Sequence, residues 1–410
     1  MGNERSFDIS TQVVHAGERR GIPRGLPVST PVYCSATYTY ESMDEMDKVF
    51  GGEAPGYVYM RYGNPTTAAF EEALRVLEGG ATACAFGSGM AALHAALVAC
   101  ELGPGATVLA SQHLYGATLG LLMNVFSQFG VNTVTTDFFD LPALRAKARE
   151  TKPRVLLAET ISNPLLKVCD LAGVAEIARE NKGRFVVDNT FATPYLCRPL
   201  ELGADFVVHS ATKYLGGHGD STGGVVVAHD VVHQATLVSI MKLVGGILSP
   251  WEAHQVLRGV KTLAIRVERQ CSSAAEIAHA LKSDPRIARV HHPLLAEGEA
   301  RDLTARMLRA PHGGALVAIE LAENSKQAAF RFMDALQLAV RSTSLGDVFS
   351  SVLHPMTASH RDLPPARRKA LGIGDGLVRF AVGLESPADI LADIHQALDV
   401  AVKSAVGSRA

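Results

Sequence analysis

From about residue 64 onward, short apolar runs alternate with segments in which apolar residues recur at three- and four-residue spacing. The runs lack the polar alternation of half-exposed strands, so we expect strands that are buried on both faces. A strand–helix alternation of this kind predicts a mainly parallel central sheet covered by helices on both faces. Seven strands are predicted, at ACAF (83–86), TVLAS (107–111), NTVTTD (132–137), RVLLAET (154–160), RFVVDN (184–189), DFVVHS (205–210) and GGVVVA (223–228).

The same pattern divides the chain into three predicted parts. Residues 1–63 are irregular and rich in Gly, Pro and Tyr, which indicates an N-terminal arm, and residues 64–260 form the main α/β domain. Residues 261–410 form a smaller C-terminal α/β domain, and one long helical segment over 251–270 is expected to connect the two domains. Two further strands are predicted in the smaller domain, at GGALVAIEL (313–321) and GLVRFAVGLE (376–385).

Helix-forming signals at 64–80 mark the start of the main domain. Asn64 suits the N-cap, Pro65 suits the first turn, and Gly79 or Gly80 suits the stop. We therefore predict a helix between these residues.

Composition excludes several classes of function. Apolar residues make up 47% of the chain, and 39 basic residues against 41 acidic ones give a net charge of −2, which calls for neither nucleic acid nor an anionic membrane as a partner. We expect no signal peptide and no transmembrane helix, because the N-terminus is polar and the apolar runs are short. The 6 cysteines are scattered without a C-x-x-C pair, which predicts reduced thiols, no zinc or other metal site, and a cytoplasmic enzyme.

Ligands of such sheets bind beyond the carboxyl ends of the strands, so the residues that follow each apolar run are the candidates for a site. Gly89 and Met90 follow the first run and open a helix, where backbone N–H groups can approach an anion. Tyr115 follows the second run, and its ring can cover a planar ligand. Asn163 follows the fourth run as a candidate donor. Gly89 and Met90 also have a purely structural interpretation as a tight turn, and Tyr115 has one as a packed core residue.

The later strand ends carry charged residues. Asp188 ends an apolar run, and a buried carboxylate needs a cationic partner: an ordinary salt bridge or the protonated ring nitrogen of a cofactor. The sixth run ends in Ser210, followed by Thr212 and Lys213 before a glycine-rich loop. Arg379 lies inside an apolar strand, where it forms a structural ion pair or presents a fork to a substrate carboxylate.

Together these residues supply what an enzyme needs to use pyridoxal 5′-phosphate (PLP). Lys213 would form the Schiff base, Asp188 would keep the pyridine nitrogen protonated, and Tyr115 would stack on the ring. The phosphate would be held by Gly89, Met90, Ser210 and Thr212.

The chain resembles the Cys/Met-metabolism family of PLP-dependent enzymes, which carries out trans-sulfuration chemistry. The resemblance spans nearly the whole chain and rests on YMRYGNPT (59–66), FGSGMAA (86–92), YGAT (115–118), VVDNTFATP (186–194), HSATKYLGGHGD (209–220), RGVKTLAIR (258–266), STSLGD (342–347) and VRFAVGLE (378–385). It implies a fold-type I PLP-dependent transferase that assembles as a homotetramer, a dimer of dimers with active sites at the dimer interface.

The resemblance also implies roles for individual residues. Tyr59 and Arg61 would reach the phosphate of the neighbouring subunit's cofactor, and Lys213 would carry protons during catalysis. Tyr115 would assist proton transfer at the leaving group. The substrate α-carboxylate would be bound by Arg379 and Ser344, and we add Asn163 to this substrate-binding set.

Departures from the family pattern bear on the reaction. Asp347 and Phe349 stand in SLGDVFSS, where cystathionine-handling members have SLGG followed by a glutamate, and phenylalanine cannot pair with a distal ammonium. The resemblance therefore favours γ-elimination on an L-methionine- or homocysteine-type substrate, giving 2-oxobutyrate, ammonia and a thiol. Ala117 stands where γ-lyases of this family have cysteine, and the segment 239–250 lacks their aspartate, so γ-replacement of the O-acylhomoserine sulfhydrylase or cystathionine γ-synthase type remains an alternative.

Two interpretations that assign the chain to other classes of protein also remain. A catalytically inactive scaffold with this fold would not need Lys213, Asp188, Tyr115 and Arg379 together. A dinucleotide-binding protein would need the G-x-G-x-x-G spacing, which FGSGMAA lacks. His218 is either a shaping residue of the cofactor loop or a structural histidine.

Overall fold

The structure is a computed structural model that describes residues 7–16, 25, 27–361 and 363–407. Its larger sheet has seven strands in the order β1-β7-β6-β5-β4-β2-β3. Its smaller sheet has five strands in the order β10-β11-β12-β9-β8. The strands are β1 (Thr82–Phe86), β2 (Thr107–Ser111), β3 (Asn132–Thr136), β4 (Val155–Glu159), β5 (Arg184–Asp188), β6 (Phe206–Ser210), β7 (Gly224–Ala228), β8 (Ile287–His291), β9 (Leu316–Leu321), β10 (Val340–Arg341), β11 (Ser351–Leu353) and β12 (Leu377–Ala381).

The larger sheet is mainly parallel, as predicted. Strands β2 to β6 pair in parallel, whereas β7 runs antiparallel to both of its neighbours. The connection from β6 to β7 contains no helix, and a parallel pairing would need a crossover of a dozen or more residues, usually helical. That connection is the glycine-rich loop that carries Lys213.

Helices cover both faces of this sheet. Alternate residues of one strand point to opposite faces: Leu156 of β4 packs in one core with Phe70 and Leu74, and Leu157 packs in another core with Leu93 and Leu97. The helices of the chain are α1 (Ile9–His15), α2 (Met43–Phe50), α3 (Pro65–Glu78), α4 (Gly89–Ala99), α5 (Gly116–Gly120), α6 (Leu141–Thr151), α7 (Leu171–Glu180), α8 (Thr193–Leu196), α9 (Gln234–Val244), α10 (Pro250–Val260), α11 (Leu263–Leu281), α12 (Gly298–Met307), α13 (Lys326–Ala335), α14 (Pro365–Ala370) and α15 (Pro387–Gly407).

The smaller sheet packs on its own core. Strands β8, β9, β12 and β11 pair antiparallel, and β10 adds a short parallel edge. Helix α11 joins the two cores, because Val267 and Cys271 pack in the core of the larger sheet while Ala274 and Ile277 pack under the smaller one. The predicted domain division at 260/261 falls between α10 and α11 and stays a prediction.

Helix α3 has the predicted ends. The Asn64 side chain accepts hydrogen bonds from the backbone N–H groups of Thr66 and Thr67, and Pro65 is the first helical residue. Gly79 ends the helix in a left-handed conformation with φ of 72°, which favours glycine.

One sequence-based expectation about the helices is wrong. The segment 251–270 is two helices, α10 and α11, which are separated at Lys261 and Thr262. Within α10, a Cβ atom on Gly259 would lie 2.1 Å from the carbonyl oxygen of Gly216, so α10 packs its backbone directly on the Lys213 loop.

The described residues lack membrane-spanning helices, metal-binding clusters and disulfide bonds. They contain no helix long and apolar enough to cross a membrane. No cluster of three or more His, Cys, Asp or Glu side chains in this part of the chain is arranged to hold a metal ion. The 6 cysteines are free thiols, and only Cys34 is exposed.

Candidate active site

Nine of the twelve predicted site residues line one cavity of about 430 Å³ between the two sheets, whereas Tyr59, Arg61 and Ser344 do not line it. Strands β4, β5 and β6 of the larger sheet end at it, and β12 of the smaller sheet faces it. Its predicted lining residues are Gly89, Met90, Tyr115, Asn163, Asp188, Ser210, Thr212, Lys213 and Arg379. The other lining residues are Ser88, Leu93, Glu159, Ile161, Thr190, Phe191, Thr222, Thr343, Leu345, Leu353, Ala358 and Ser359.

Lys213 lies in the loop after β6 and is partly buried. Its Nζ atom donates a hydrogen bond of 3.1 Å to Oγ of Ser344, which belongs to the smaller-sheet part of the chain. Desolvation is the main cause that lowers the pKa of the Lys213 ammonium, and the nearby charge of Arg379 lowers it further. A lysine in this setting has a larger fraction of neutral, nucleophilic amine than a surface lysine.

The N-terminus of α4 forms a backbone cradle beside this lysine. Oγ of Ser88 caps α4 by accepting a 3.1 Å hydrogen bond from the N–H group of Ala91. A Cβ atom on Gly89 would lie 2.7 Å from Cβ of Ser210, so only glycine allows this approach. The unpaired N–H groups and the dipole of α4, together with the hydroxyl groups of Ser210 and Thr212, make this corner suited to an anion.

Asp188 ends β5 at the floor of the cavity. Its Oδ1 atom accepts a 3.0 Å hydrogen bond from the N–H group of Thr190, and Oγ1 of Thr190 in turn accepts one of 2.9 Å from the N–H group of Ser210. Desolvation raises the pKa of the Asp188 carboxyl, while Thr190 and then His209 oppose the shift. A positively charged group in the cavity would stabilise this carboxylate.

Arg379 lies in β12 with only 2% of its surface exposed. Its Nη1 atom donates a 2.8 Å hydrogen bond to Oδ1 of Asn163, and its guanidinium carbon lies 5.8 Å from the ring centroid of Phe191. Desolvation lowers the pKa of the guanidinium to about 10, and its Nε atom has no partner among the described residues. A buried, partly unpaired guanidinium is suited to a carboxylate ligand.

Tyr115 lies at the mouth of the cavity and is 41% exposed. Its backbone N–H group donates a 2.6 Å hydrogen bond to Oε1 of Glu159, the last residue of β4. A Cβ atom on the next residue, Gly116, would lie 2.4 Å from the carbonyl oxygen of Ser359, so the chain carrying Tyr115 is also held by the smaller-sheet part.

Tyr59 and Arg61 do not line the cavity of their own chain. The Arg61 guanidinium donates to the carbonyl oxygen of Lys242, and its carbon lies 5.4 Å and 5.0 Å from the ring centroids of Tyr59 and Tyr62. Their predicted function in a neighbouring subunit stays a prediction.

The residues that favoured one reaction over another in the sequence do not line the cavity. Phe349 packs beside Gly219, where a Cβ atom would lie 3.3 Å from its ring, and neither Phe349 nor Ala117 lines the cavity. Asp347 is buried near Lys213, and desolvation raises the pKa of its carboxyl. His218 shares a 2.7 Å hydrogen bond between Nδ1 and the carbonyl oxygen of Gly216, which supports a shaping function in the loop.

Sequence reasoning missed Glu159, Thr190 and Phe191. The signal for Glu159 was present, because it ends the fourth apolar run just as Asp188 ends the fifth. Thr190 and Phe191 follow Asp188 in a turn, and the apolar pattern alone does not predict where their side chains point.

A larger cleft of about 1120 Å³, lined by residues such as His113, contains none of the predicted site residues.

An α/β fold with a desolvated lysine, an anion cradle and a buried acid at the ends of parallel strands defines an enzyme that holds a phosphorylated cofactor. Residues 10–399 match the family described as Cys/Met metabolism PLP-dependent enzyme, and the chain belongs to this family. The predictions of the family, of an enzyme and of PLP as its cofactor are therefore confirmed.

Individual relatives agree with this assignment. The chain is 41% identical over 398 residues to the L-methionine gamma-lyase of Pseudomonas putida, which covers 97% of this chain and 98% of that protein. It is 38% identical over 393 residues to the O-succinylhomoserine sulfhydrylase of Pseudomonas aeruginosa, with 96% and 95% covered. The solved structure of cystathionine gamma synthase from Xanthomonas oryzae pv. oryzae, in complex with aminoacrylate and cysteine, matches with a TM-score of 0.90, 35% identity, and 97% and 99% covered. The predicted fold class is confirmed.

The residues present fit PLP. The α4 cradle at Gly89 would hold the phosphate, and the Lys213 amine would hold the cofactor covalently. The carboxylate of Asp188, which accepts a hydrogen bond from Thr190 but forms no ion pair among the described residues, would face the ring nitrogen. The partly unpaired Arg379 remains for the carboxylate of an amino-acid substrate.

Proposed function

We propose that this protein catalyses PLP-dependent γ-elimination on a sulfur amino acid of the L-methionine or homocysteine type, giving 2-oxobutyrate, ammonia and a thiol. The observation that carries the proposal is the meeting of Lys213 and Arg379 in one cavity, the first bonded to Ser344 and the second to Asn163. The similarity to a protein named L-methionine gamma-lyase supports the choice of leaving group.

Each proposed role follows from the position of a side chain. Arg379 binds the substrate α-carboxylate with the N–H groups that Asn163 leaves free, and this contact orients the substrate. Lys213, which lines the same cavity, removes the proton from Cα and later moves a proton at Cβ. Bound PLP supplies the electron-withdrawing ring that makes these protons removable, and Asp188 holds the ring nitrogen in its protonated form. Tyr115 donates a proton to the departing sulfur.

The side chains of the cavity wall are suited to a substrate with an apolar substituent on its sulfur atom. Ile161, Phe191, Leu345 and Leu353 line it, and the lining carboxyl groups are those of Glu159 and Asp188, at the ends of neighbouring strands. A thioether with a small apolar group suits such a wall, whereas a distal ammonium would need a carboxylate that faces it.

Replacement is the second candidate. The similarity to a protein named O-succinylhomoserine sulfhydrylase favours it, since elimination and replacement share every step up to the loss of the γ-substituent. The two functions then differ in whether water or an entering thiol or sulfide completes the reaction.

We also propose a cytoplasmic homotetramer built from two dimers. The position of Arg61 and Tyr59 outside their own cavity, with Tyr59 41% exposed, supports a dimer in which each arm completes the neighbouring site.

A substrate panel tests the proposal. PLP-loaded enzyme is given L-methionine, L-cystathionine, or O-succinylhomoserine with and without sulfide, and 2-oxobutyrate and homocysteine are quantified separately. We expect the highest kcat/KM for 2-oxobutyrate formation from L-methionine. Homocysteine as the main product, formed only with sulfide, would instead assign the replacement reaction, and a preference for cystathionine would contradict the argument from the cavity wall.

A further inference from the structure

Glu159 and Asp188 lie side by side at the ends of adjacent parallel strands. They are register partners in the pairing of β4 with β5, so both side chains leave the same face of the sheet, and both line the cavity. No ion pair within 4.0 Å joins either carboxyl group to a lysine, arginine or histidine in the described parts of the chain. Two carboxylates in this arrangement repel each other, and one proton between them removes the repulsion.

The hydrogen bonds show what Glu159 holds. Its Oε1 atom accepts the 2.6 Å hydrogen bond from the backbone N–H group of Tyr115, and the backbone N–H group of Asn163 also faces this carboxyl. Its Oε2 atom is shielded from solvent and has no hydrogen-bond partner among the described residues. Glu159 therefore holds the chain of Tyr115 by a hydrogen bond and lies near the backbone of Asn163, whose side chain accepts a hydrogen bond from Arg379.

The groups around Glu159 and Asp188 determine which of the two carboxyl groups holds the proton. Asp188 accepts from Thr190 and lies near His209, whose Nε2 is 2.6 Å from Oε1 of Glu78. The negative charge of Asp188 acts on the Glu159 carboxyl more strongly than the positive charge of the Arg379 guanidinium does. Desolvation and then the charge of Asp188 raise the pKa of Glu159 well above its usual range.

We propose that Glu159 is a positioning residue that holds the Tyr115 and Asn163 chains as a neutral carboxylic acid and leaves the negative charge of the pair to Asp188. Asp188 then has its full charge available for the ring nitrogen of the cofactor. The inference rests on the proposed functions of Asp188 and Tyr115, and it is independent of which thiol leaves.

Infrared spectroscopy tests the protonation directly. The difference spectrum between wild type and Glu159→Gln, recorded on PLP-loaded protein at neutral pH without substrate, should contain the C=O stretching band of a protonated carboxylic acid. Glu320→Gln is the matched control: His291 hydrogen-bonds Glu320 at 2.6 Å and lowers the pKa of its carboxyl, so its difference spectrum should lack the acid band. A Glu159 difference spectrum that contains only carboxylate bands overturns the proposal.

Kinetics of two variants test the positioning. Glu159→Gln keeps a neutral acceptor for the Tyr115 N–H group and should retain kcat within about threefold, with an unchanged pH profile. Glu159→Ala leaves that N–H group without its acceptor and should lower kcat by about tenfold or more. Equal losses in both variants, or a shifted pH profile in Glu159→Gln, overturn the proposal, and circular dichroism of both confirms that they fold. Because the infrared test needs no turnover, its failure is distinguishable from a failure of the proposed γ-elimination.

Discussion

Lys213 donates a 3.1 Å hydrogen bond from Nζ to Oγ of Ser344, and this bond joins the loop after the larger sheet to the smaller-sheet part of the chain. Gly346 reinforces the junction, because a Cβ atom there would lie 2.5 Å from the backbone nitrogen of Tyr214. The reactive amine is thus held by two elements that are distant in sequence. This explains why a lysine beside a glycine-rich loop can be positioned for chemistry.

Asp188→Asn tests whether the negative charge of Asp188 is needed to keep the ring nitrogen of PLP protonated. Asparagine preserves the shape but cannot hold the ring nitrogen of PLP in its protonated form, so we expect kcat to fall by about 10²–10³. The PLP dissociation constant, measured by fluorescence on the apoprotein, should change less, because the α4 cradle is untouched. Asp230→Asn, in a surface turn, is the control, and a kcat within threefold of wild type for Asp188→Asn would contradict the role.

Arg379→Lys tests carboxylate binding. Lysine keeps the charge but loses the planar fork and the hydrogen bond to Asn163, so we expect kcat/KM to fall by about 10²-fold, mainly through KM. Asn163→Ala should give a smaller loss in the same direction. Arg341→Lys, in the exposed edge strand β10, serves as the control. An unchanged KM for Arg379→Lys would be incompatible with the proposed function.

Mixing two inactive variants tests the shared site. Arg61→Ala lacks the proposed partner contact, and Lys213→Ala lacks the amine. A hybrid dimer contains one site with both wild-type residues, so unfolding and refolding the two together should restore about a quarter of the wild-type activity. Arg61→Ala refolded alone is the control. If the mixture stays as inactive as its components, each site is formed within one chain.

Glu71→Gln tests a pH-dependent contribution to stability. Glu71 accepts a 2.8 Å hydrogen bond from the N–H group of Ala85, and desolvation raises the pKa of its carboxyl to about 7 from 4.5. The folded state thus binds this proton more tightly, and the contribution is present below pH 4.5 and lost as pH rises through about 7. Between pH 5 and pH 8, the free energy of unfolding of wild type should fall by about 1–3 kcal/mol relative to Glu71→Gln.

Urea unfolding at fixed protein concentration measures this difference. Glu320→Gln is again the control, because the pKa of Glu320 is lowered from 4.5 and its titration lies below this pH range. If the free energy of unfolding of wild type changes with pH in the same way as that of Glu71→Gln, the Glu71 carboxyl ionises normally in the folded protein.

The sequence predicted the positions of the strands of the larger sheet closely, and TVLAS is β2 residue for residue. Most of these strands are continuous apolar runs. The expectation of burial on both faces is wrong for β3, because this strand (NTVTT) is rich in threonine and lies partly exposed at the edge of the sheet. Three strands of the smaller sheet were missed. In β8 the residues Ala288 and Arg289 are exposed, β10 has 2 residues and β11 has 3, so none of them shows a long apolar run. The split between α10 and α11 was missed because apolar spacing continues across it.

The site was predictable where residues end buried strands and unpredictable where contacts cross between sheets. Lys213, Asp188 and Tyr115 follow apolar runs, so the sequence placed them at one edge. The bonds from Lys213 to Ser344 and from Arg379 to Asn163 depend on how the two sheets meet, and the local pattern contains no information about that.

Release of 2-oxobutyrate and methanethiol from L-methionine alone, by PLP-loaded protein, distinguishes γ-elimination from replacement. We expect steady formation of both products in equal amounts, and a loss of at least about 10³-fold in Lys213→Ala but none in the surface variant Lys147→Ala. An enzyme that holds PLP yet releases no 2-oxobutyrate from L-methionine would contradict the proposed γ-elimination.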